Sequence, residues 1–308
     1  MKKAFSNLMK AISEGKFVYT GELEPHRSID LSEVESWART LKEAGIVAAN
    51  VTDNPRSDSA ISSMVASYLI QRNTGLETIY QLRTADRNRL ALLSDVLGGA
   101  ALGLRNILAL TGDHTRIGTT PSSKPVFDLD STGLIALIHK LVYEGKDLDG
   151  NELKGPRPEI NVGAAANPNM DPLEIEILKL ERKAEAGADF FQTQVVFDVE
   201  VARRFLREIE HIKVPTLVGI FPPRSYGQAE FFDKYVPGVR VPKEFMEAFA
   251  RFRTIEDKQK RSEKINEYNV EYFSNFIREV KKERACAGIH IMAVGYPEVI
   301  RPLMESVK

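Results

Sequence analysis

Several polar side chains stand where apolar runs stop. Glu22 and Glu24 close Phe17–Leu23, Thr52 follows Ile46–Val51, and Gln81 sits in Thr78–Leu82. Asp113 comes after Ile107-Leu108-Ala109-Leu110-Thr111-Gly112, Asn167 after Ile160–Ala166, and Gln194 near the end of Asp189–Val195. An uninterrupted apolar run is what a parallel strand buried on both faces looks like. If those strands share a sheet or barrel, their carboxyl ends bring two carboxylates and several amides to one mouth. A Glu there, in a partly dry pocket and facing another acid, is a candidate for a general-acid role. Amides carry both donors and acceptors, so they can read the edges of a flat heterocycle. Histidine is absent from these ends unless His26 or His114 reaches in, which argues against a His-based triad. Only oxygen ligands are on offer, and scattered ones, so no metal site is expected.

The elements that would position these groups alternate regularly. Leu31, Val34, Trp37, Ala38 and Leu41 recur at helical spacing, with Asp30 as a candidate N-cap and Gly45 as a stop. Further helices are expected over 58–71, 86–97, 134–142, from Asp171 to Ala186, from Asp198, and over 297–307. Asp171-Pro172 followed by Glu174 reads as N-cap, Pro at the first helical position and acid in the first turn. Pro215–Phe221 and Gly288–Val294 complete eight short apolar segments. Parallel strands need helical crossovers, so the pattern predicts α/β structure, a (β/α)8 TIM barrel over residues 1–308 as one domain. An open doubly wound sheet is the alternative, but no Gly-x-Gly-x-x-Gly follows any strand. Two features depart from the rhythm. Polar loops over 114–127 and 145–158 form a long insertion after strand four, expected over the mouth or at a partner surface. Residues 229–283 add helices before strand eight.

The 308-residue chain has 42 basic and 43 acidic residues, a net charge of -1, and 43% hydrophobic residues. That balance leaves no footprint for nucleic acid or an anionic membrane surface. Cys286 is the one cysteine, so neither an internal disulfide nor a cysteine-ligated cluster can form within the chain. No apolar leader follows Met1-Lys2-Lys3 and no run reaches spanning length, so a cytoplasmic location is the default expectation.

Seven segments together resemble the methylenetetrahydrofolate reductases, flavin-dependent (β/α)8 barrels. They are Gly21-Glu22-Leu23-Glu24-Pro25, Asn50-Val51-Thr52, Ile107–Asp113, Val162–Pro168, Ala186-Gly187-Ala188-Asp189, Thr193–Asp198 and Val218–Pro222. Each is weak alone; their order and spacing across 17–235 are specific. The long loop after Asp113 and the ending Gly288–Gly295 are similar to the type found in one-carbon pathways of anaerobic bacteria.

The resemblance implies reduction of 5,10-methylenetetrahydrofolate to 5-methyltetrahydrofolate by hydride from a reduced flavin. It implies that Glu22 is the acid assisting ring opening at N10, and that Asp113 stabilises the resulting cation. Gln194 would hold the pterin, Tyr226 would stack on the folate, and Glu24 would border the substrate. Thr52, Gln81, Thr111, Gly112, Asp113, Ala165, Asn167 and Asp171 fall at flavin-contacting positions, and Lys179, Arg182 and Lys183 where the family holds the phosphate or adenosine end. FAD is expected, with FMN the alternative. Where many relatives have His, Arg, an aromatic and an apolar residue, this chain has Gln81, Thr111, Asn167 and Glu24. Ala293-Val294-Gly295-Tyr296 replaces a Thr-Leu-Asn-Arg-like stretch. That implies electrons from a partner subunit rather than directly from NADH, and homo-oligomerisation is also compatible. Two other classes stay open: a pterin-binding methyltransferase barrel, and a non-catalytic docking subunit using the charged helix Arg251–Arg284.

Overall fold

A computed structural model describes residues 3–236 and 238–307, so Met1-Lys2 at the start lies outside it. Eight parallel strands close into a barrel in sequence order. They are β1 (Val18–Leu23), β2 (Ala48–Val51), β3 (Glu77–Arg83), β4 (Asn106–Leu110), β5 (Asn161–Ala166), β6 (Phe190–Val195), β7 (Thr216–Ile220) and β8 (Cys286–Ile291). The ring is completed by Thr20 opposite His290 and Gly21 opposite Ile291. The predicted (β/α)8 barrel is therefore the observed fold.

The barrel interior is layered. Val18, Ala48, Ile79, Leu108, Phe190 and Leu217 form an apolar cluster of their own, closed by Leu8 and Met9. Those two belong to α1 (Asn7–Ser13), a short helix that the sequence reading missed. Asn161 Oδ1 accepts from the Phe5 and Ser6 amides, and the Glu77 carboxylate from those of Asn7 and Leu8. Both acceptors begin strands, so they pin α1 across the amino-terminal end of the barrel. Two residues further along β1, β2, β3 and β6 the same inward face turns polar, because side chains alternate with period two. Thr20, Asn50 and His290 occupy this level, fully buried.

The crossover helices are α2 (Ser32–Glu43), α3 (Ser63–Thr74), α4 (Arg89–Ala101), α5 (Ser131–Tyr143), α6 (Leu173–Ala186) and α7 (Val199–Glu208). Asp30 accepts from the Ser32 amide at 2.9 Å, while Leu31 takes the N-cap position. The helix expected from residue 58 starts at Ser63, because Asn54, Arg56 and Ser57 adopt positive φ in a tight turn. Asp171 is not the cap of α6: Pro172 is, with extended backbone (φ -72°, ψ 144°) and no side-chain cap bond. Asp198 caps α7 as expected, accepting from Glu200 and Val201.

The first half of the insertion, 114–127, packs along the rim of the mouth. Thr119 donates to Asp58 at 2.8 Å, and Val126 to the Ala85 carbonyl at 2.8 Å. The second half follows α5, the helix that runs back toward the start of β5. The segment 145–158 starts there and folds back along the helices, so that Asp149 lies 3.7 Å from Arg89 at the start of α4. Between β7 and β8 come α8 (Tyr226–Tyr235), α9 (Lys243–Arg253) and the long α10 (Lys258–Val280). Phe197, Phe232, Phe245, Phe249 and Phe273 bind them to the barrel wall through edge-to-face and stacked ring contacts. α11 (Pro297–Ser306) closes the chain. Among the described residues, no helix is long and apolar enough to cross a membrane.

Candidate active site

The carboxyl ends of the strands open into a cavity of about 870 Å³. Glu22 and Glu24 from β1, Thr52 after β2, Gln81 from β3, Gly112 and Asp113 after β4, and Gln194 from β6 all line it. The two carboxylates singled out from the sequence, Glu22 and Asp113, thus share one cavity.

Asp113 hangs on a built loop. Gly112 has φ +83°, the left-handed region in which a side chain is strained. A Cβ there would also lie 2.8 Å from Arg83 Nε and 3.2 Å from Ala85 Cβ. Arg83, 2% exposed, donates to the Asp113 carbonyl at 3.0 Å and to the Asn54 carbonyl at 2.5 Å. Its guanidinium also lies 2.9 Å from the Asp86 carboxylate. Ser57 adds a 2.8 Å bond to the same Asp113 carbonyl. The backbone is held and the carboxylate is left free at the mouth.

Beneath Glu22 lies His290, which sequence reading placed in strand eight without a role. Its ring is fully buried, with Nδ1 3.0 Å from Thr20 Oγ1 and Nε2 3.6 Å from Glu22 Oε2. Thr20 thus holds the His290 ring, whose Nε2 faces Glu22 from the core side without a hydrogen bond to it. No local signal marks it: His290 meets the acid of β1 only because β8 closes the barrel on β1.

The central cavity continues into a deeper arm of about 380 Å³ between β5 and β6. Ala165, Asn167 and Gln192 line it, and Glu22, Gln81 and Gln194 belong to both spaces. Glu176 and Lys183 form its far wall and also border an outer arm of about 650 Å³ between α5 and α6. Thr111, Lys179, Arg182 and the first turn of α5, Ser131–Gly133, complete the outer arm. Its acids are engaged: Glu176 accepts from the Asn167 amide at 2.8 Å and Asp130 from Gly133 at 2.7 Å. Lys183 donates to the Ala165 carbonyl at 2.7 Å, and burial pulls its pKa below the usual lysine value.

Two expected contacts do not join the groove. Asp171 is exposed and lines neither the mouth nor its arms. Tyr226 begins α8, and helical periodicity turns Gly227, Gln228, Phe231 and Phe232 toward the mouth instead. Tyr226 lines a neighbouring hollow, with Arg253 over its ring at 5.8 Å. The rings that do line the mouth are Phe221, Phe231, Phe232 and Tyr296. Among the described residues no group of three or more His, Cys, Asp or Glu is placed to hold a metal ion.

Buried polar atoms without partners mark the floor: both amide atoms of Asn50, Thr52 Oγ1, Gln192 Oε1 and His290 Nε2. Such atoms are costly unless something supplies their hydrogen bonds.

A (β/α)8 barrel with an acid, a held aspartate and a cation-ended groove at its carboxyl face defines a ligand-consuming enzyme site of the TIM-barrel kind. The chain belongs to the methylenetetrahydrofolate reductase family, whose model matches residues 7–308. It is 26% identical over 243 residues to 5,10-methylenetetrahydrofolate reductase of Pectobacterium carotovorum, covering 74% of this chain and 72% of that one. It is 23% identical over 278 residues to a probable methylenetetrahydrofolate reductase (NADPH) of Caenorhabditis elegans. That match takes in 86% of this chain but only 38% of the nematode protein. In fold it is similar, with TM-score 0.63 and 16% identity over 98% of both chains, to an uncharacterised protein from Clostridium thermocellum described as binding two copies of 5-methyl-5,6,7,8-tetrahydrofolic acid.

Proposed function

We propose that this chain reduces 5,10-methylenetetrahydrofolate to 5-methyltetrahydrofolate, with a flavin held in the groove. The observation that carries the reading is that Glu22 and Asp113 line one cavity which continues, past Lys183, into a cationic arm. When bound, the flavin would supply the hydride.

The residues present fit such a group. The orphaned atoms of Thr52 and Gln192, with Gln81, offer hydrogen bonds to a polar ring system. Lys183, Lys179 and Arg182, with the amino terminus of α5, suit a phosphate. At about 650 Å³ the outer arm has room for a nucleoside beyond one phosphate, which favours FAD over FMN.

Glu22 gives its proton to the substrate's N10 as the imidazolidine ring opens. His290, 3.6 Å behind it and steadied by Thr20, backs the carboxyl from the core side. Asp113 stabilises the cation that ring opening creates. Arg83 and Ser57 hold its backbone, so no reorganisation is required at that moment. Gln194 anchors its own side chain on the Val195 amide at 2.9 Å, leaving its amide nitrogen toward the pterin. Phe221, Phe231 and Phe232 exclude water from one side. Electron supply by a partner subunit, in a cytoplasmic setting, belongs to the same proposal. Cys286 is buried and alone, so any iron–sulfur cluster would be the partner's.

The test is anaerobic stopped flow on the purified protein. It should take up flavin, and once reduced it should be reoxidised by methylenetetrahydrofolate. A protein that binds no flavin, or whose reduced flavin ignores the folate, would overturn the reading.

A further inference from the structure

α4 differs from its counterparts α2 and α7 in what it shows to solvent. α2 turns Glu33, Arg39 and Lys42 outward, and α7 turns Glu200, Arg204 and Arg207. On α4 the residues exposed after Arg89 are Leu90, Ala91, Ser94, Leu97 and Ala101, with no charge among them. Leu90 is 75% exposed, and Leu102, just past the helix, 38%. Asp95 is half-buried and held by Arg87 at 2.9 Å. α3 lies alongside, with Met64 next to Gly98, and adds Val65 at 40% exposure. A helix that is apolar on its outer side as well as its inner one has the pattern of a covered helix.

The spacing of the strip says what covers it. Positions 90, 94, 97 and 101 repeat at four, three and four residues, the seam of a helix that packs along another. Laid antiparallel to a second α4, the strip is its own complement. A two-fold axis between positions 95 and 96 sets Leu90 beside Ala101, Leu93 beside Gly98 and Leu97 beside Ser94. Each leucine of the outer strip then meets a small residue, as close interdigitation requires. The charges agree. Asp128 and Asp149 gather about Arg89 at the amino end of α4, an excess of acid, while Arg72 stands at the other end, in the last turn of α3. Antiparallel pairing brings these ends together and sets the two helix dipoles in opposition.

We infer that two copies of this chain pair through α4, helix against helix about a two-fold axis. The partner is a second copy because an unrelated surface would not require the strip to match itself. With 12 and 13 residues, α3 and α4 side by side span about 20 Å in each direction. A plan of about 400 Å² carries more accessible area than that once side-chain relief is counted, which brings it to the smaller specific interfaces, about 600 Å² a side. The dimer is therefore reversible. Each α4 runs back from its own barrel mouth, so the two mouths open at opposite ends of the dimer and both stay free.

The test is sedimentation velocity of the purified protein over a concentration series, which should show a dimer of twice the 34.5 kDa chain mass that dissociates on dilution. Leu97→Glu should weaken it at least ~100-fold, because the axis puts two buried charges in the interface for one substitution. Leu97 is exposed in the single chain, so the far-ultraviolet circular dichroism and flavin uptake of that variant should be unchanged. Leu90→Lys should weaken the dimer too, and Leu90→Lys/Ala101→Glu should recover it, since the two positions meet only across the axis. A monomer at every concentration overturns the inference. A dimer that survives Leu97→Glu and Leu90→Lys overturns it as well and puts the contact on another face. Loss in Leu90→Lys without recovery in the double variant overturns the antiparallel pairing.

Discussion

Glu22→Gln keeps the shape of the side chain and removes its proton. The wall of the mouth fixes how large the effect must be. Glu22 is 19% exposed and stands 3.6 Å from a histidine that is wholly buried, so His290 cannot reach the substrate in its place. Glu24 lines the same cavity from just beyond the end of β1, two residues further along the chain. A positioned general acid contributes on the order of 10²- to 10⁴-fold, which is about 3–5 kcal/mol of barrier. The assay separates the two half-reactions. Reduction of the bound flavin by dithionite should be untouched, because no proton from Glu22 is involved. Single-turnover reoxidation by methylenetetrahydrofolate should slow by at least ~100-fold. His290→Gln should slow the same step, and the double variant should be little slower than Glu22→Gln, since groups acting as a unit are not additive. Reoxidation of Glu22→Gln within about threefold of the unaltered rate would refute the acid's role, because that is under 1 kcal/mol. It would point to Glu24 as the donor.

Asp113→Asn should slow the same reoxidation by roughly a hundredfold or more, ~3 kcal/mol of lost charge stabilisation, without changing flavin uptake; an unchanged rate contradicts the role. Lys183→Met should weaken flavin binding about 10- to 100-fold in a fluorescence titration, the worth of one hydrogen bond to a charged group, and an unchanged Kd would remove the phosphate from that arm. Burial lowers the Lys183 pKa, and a phosphate binds the charged form, so affinity should fall as pH rises through a value below the ordinary 10.5; Lys183→Arg should flatten that profile. Gly112→Ala should destabilise by at least ~1–2 kcal/mol in denaturant unfolding, the cost of left-handed backbone at an L residue before the clash with Arg83 is counted. Burial pushes the Cys286 thiol up to about 12, so only ~10⁻⁴ of it is thiolate at pH 8. Iodoacetamide should therefore label it only after unfolding, and rapid native labelling would show the amino end of β8 to be open.

The barrel was legible because its strands are buried on both faces and so read as plain apolar runs. The acid pair was legible because a strand's end is a fixed address. What escaped was whatever depends on a neighbour distant in sequence. His290 acquires its role only when β8 closes on β1, a contact across 268 residues that no local pattern announces. α1 is too short for periodicity to reveal it and exists because Asn161 and Glu77 hold it. Tyr226 lines the neighbouring hollow, while Gly227, next to it in sequence, lines the mouth. Asp171 lies outside the groove because α6 begins after Pro172.

The interior of the barrel divides its labour by height. At the amino end every inward side chain in the cluster around Phe190 is apolar, and α1 seals it. Conservative changes there should cost packing energy alone. One level up, Asn50, Thr52, Gln192 and His290 come from β2, β6 and β8 or their immediate ends, and each keeps a buried polar atom without a partner. An apolar residue at any of these positions would fold more cheaply, since each orphaned group carries a desolvation penalty of about 1–3 kcal/mol. A chain that retains them beside and beneath its acid accepts that penalty where a ligand can later relieve it. Binding of a polar ring system on this floor should therefore raise the protein's stability as well as complete its chemistry.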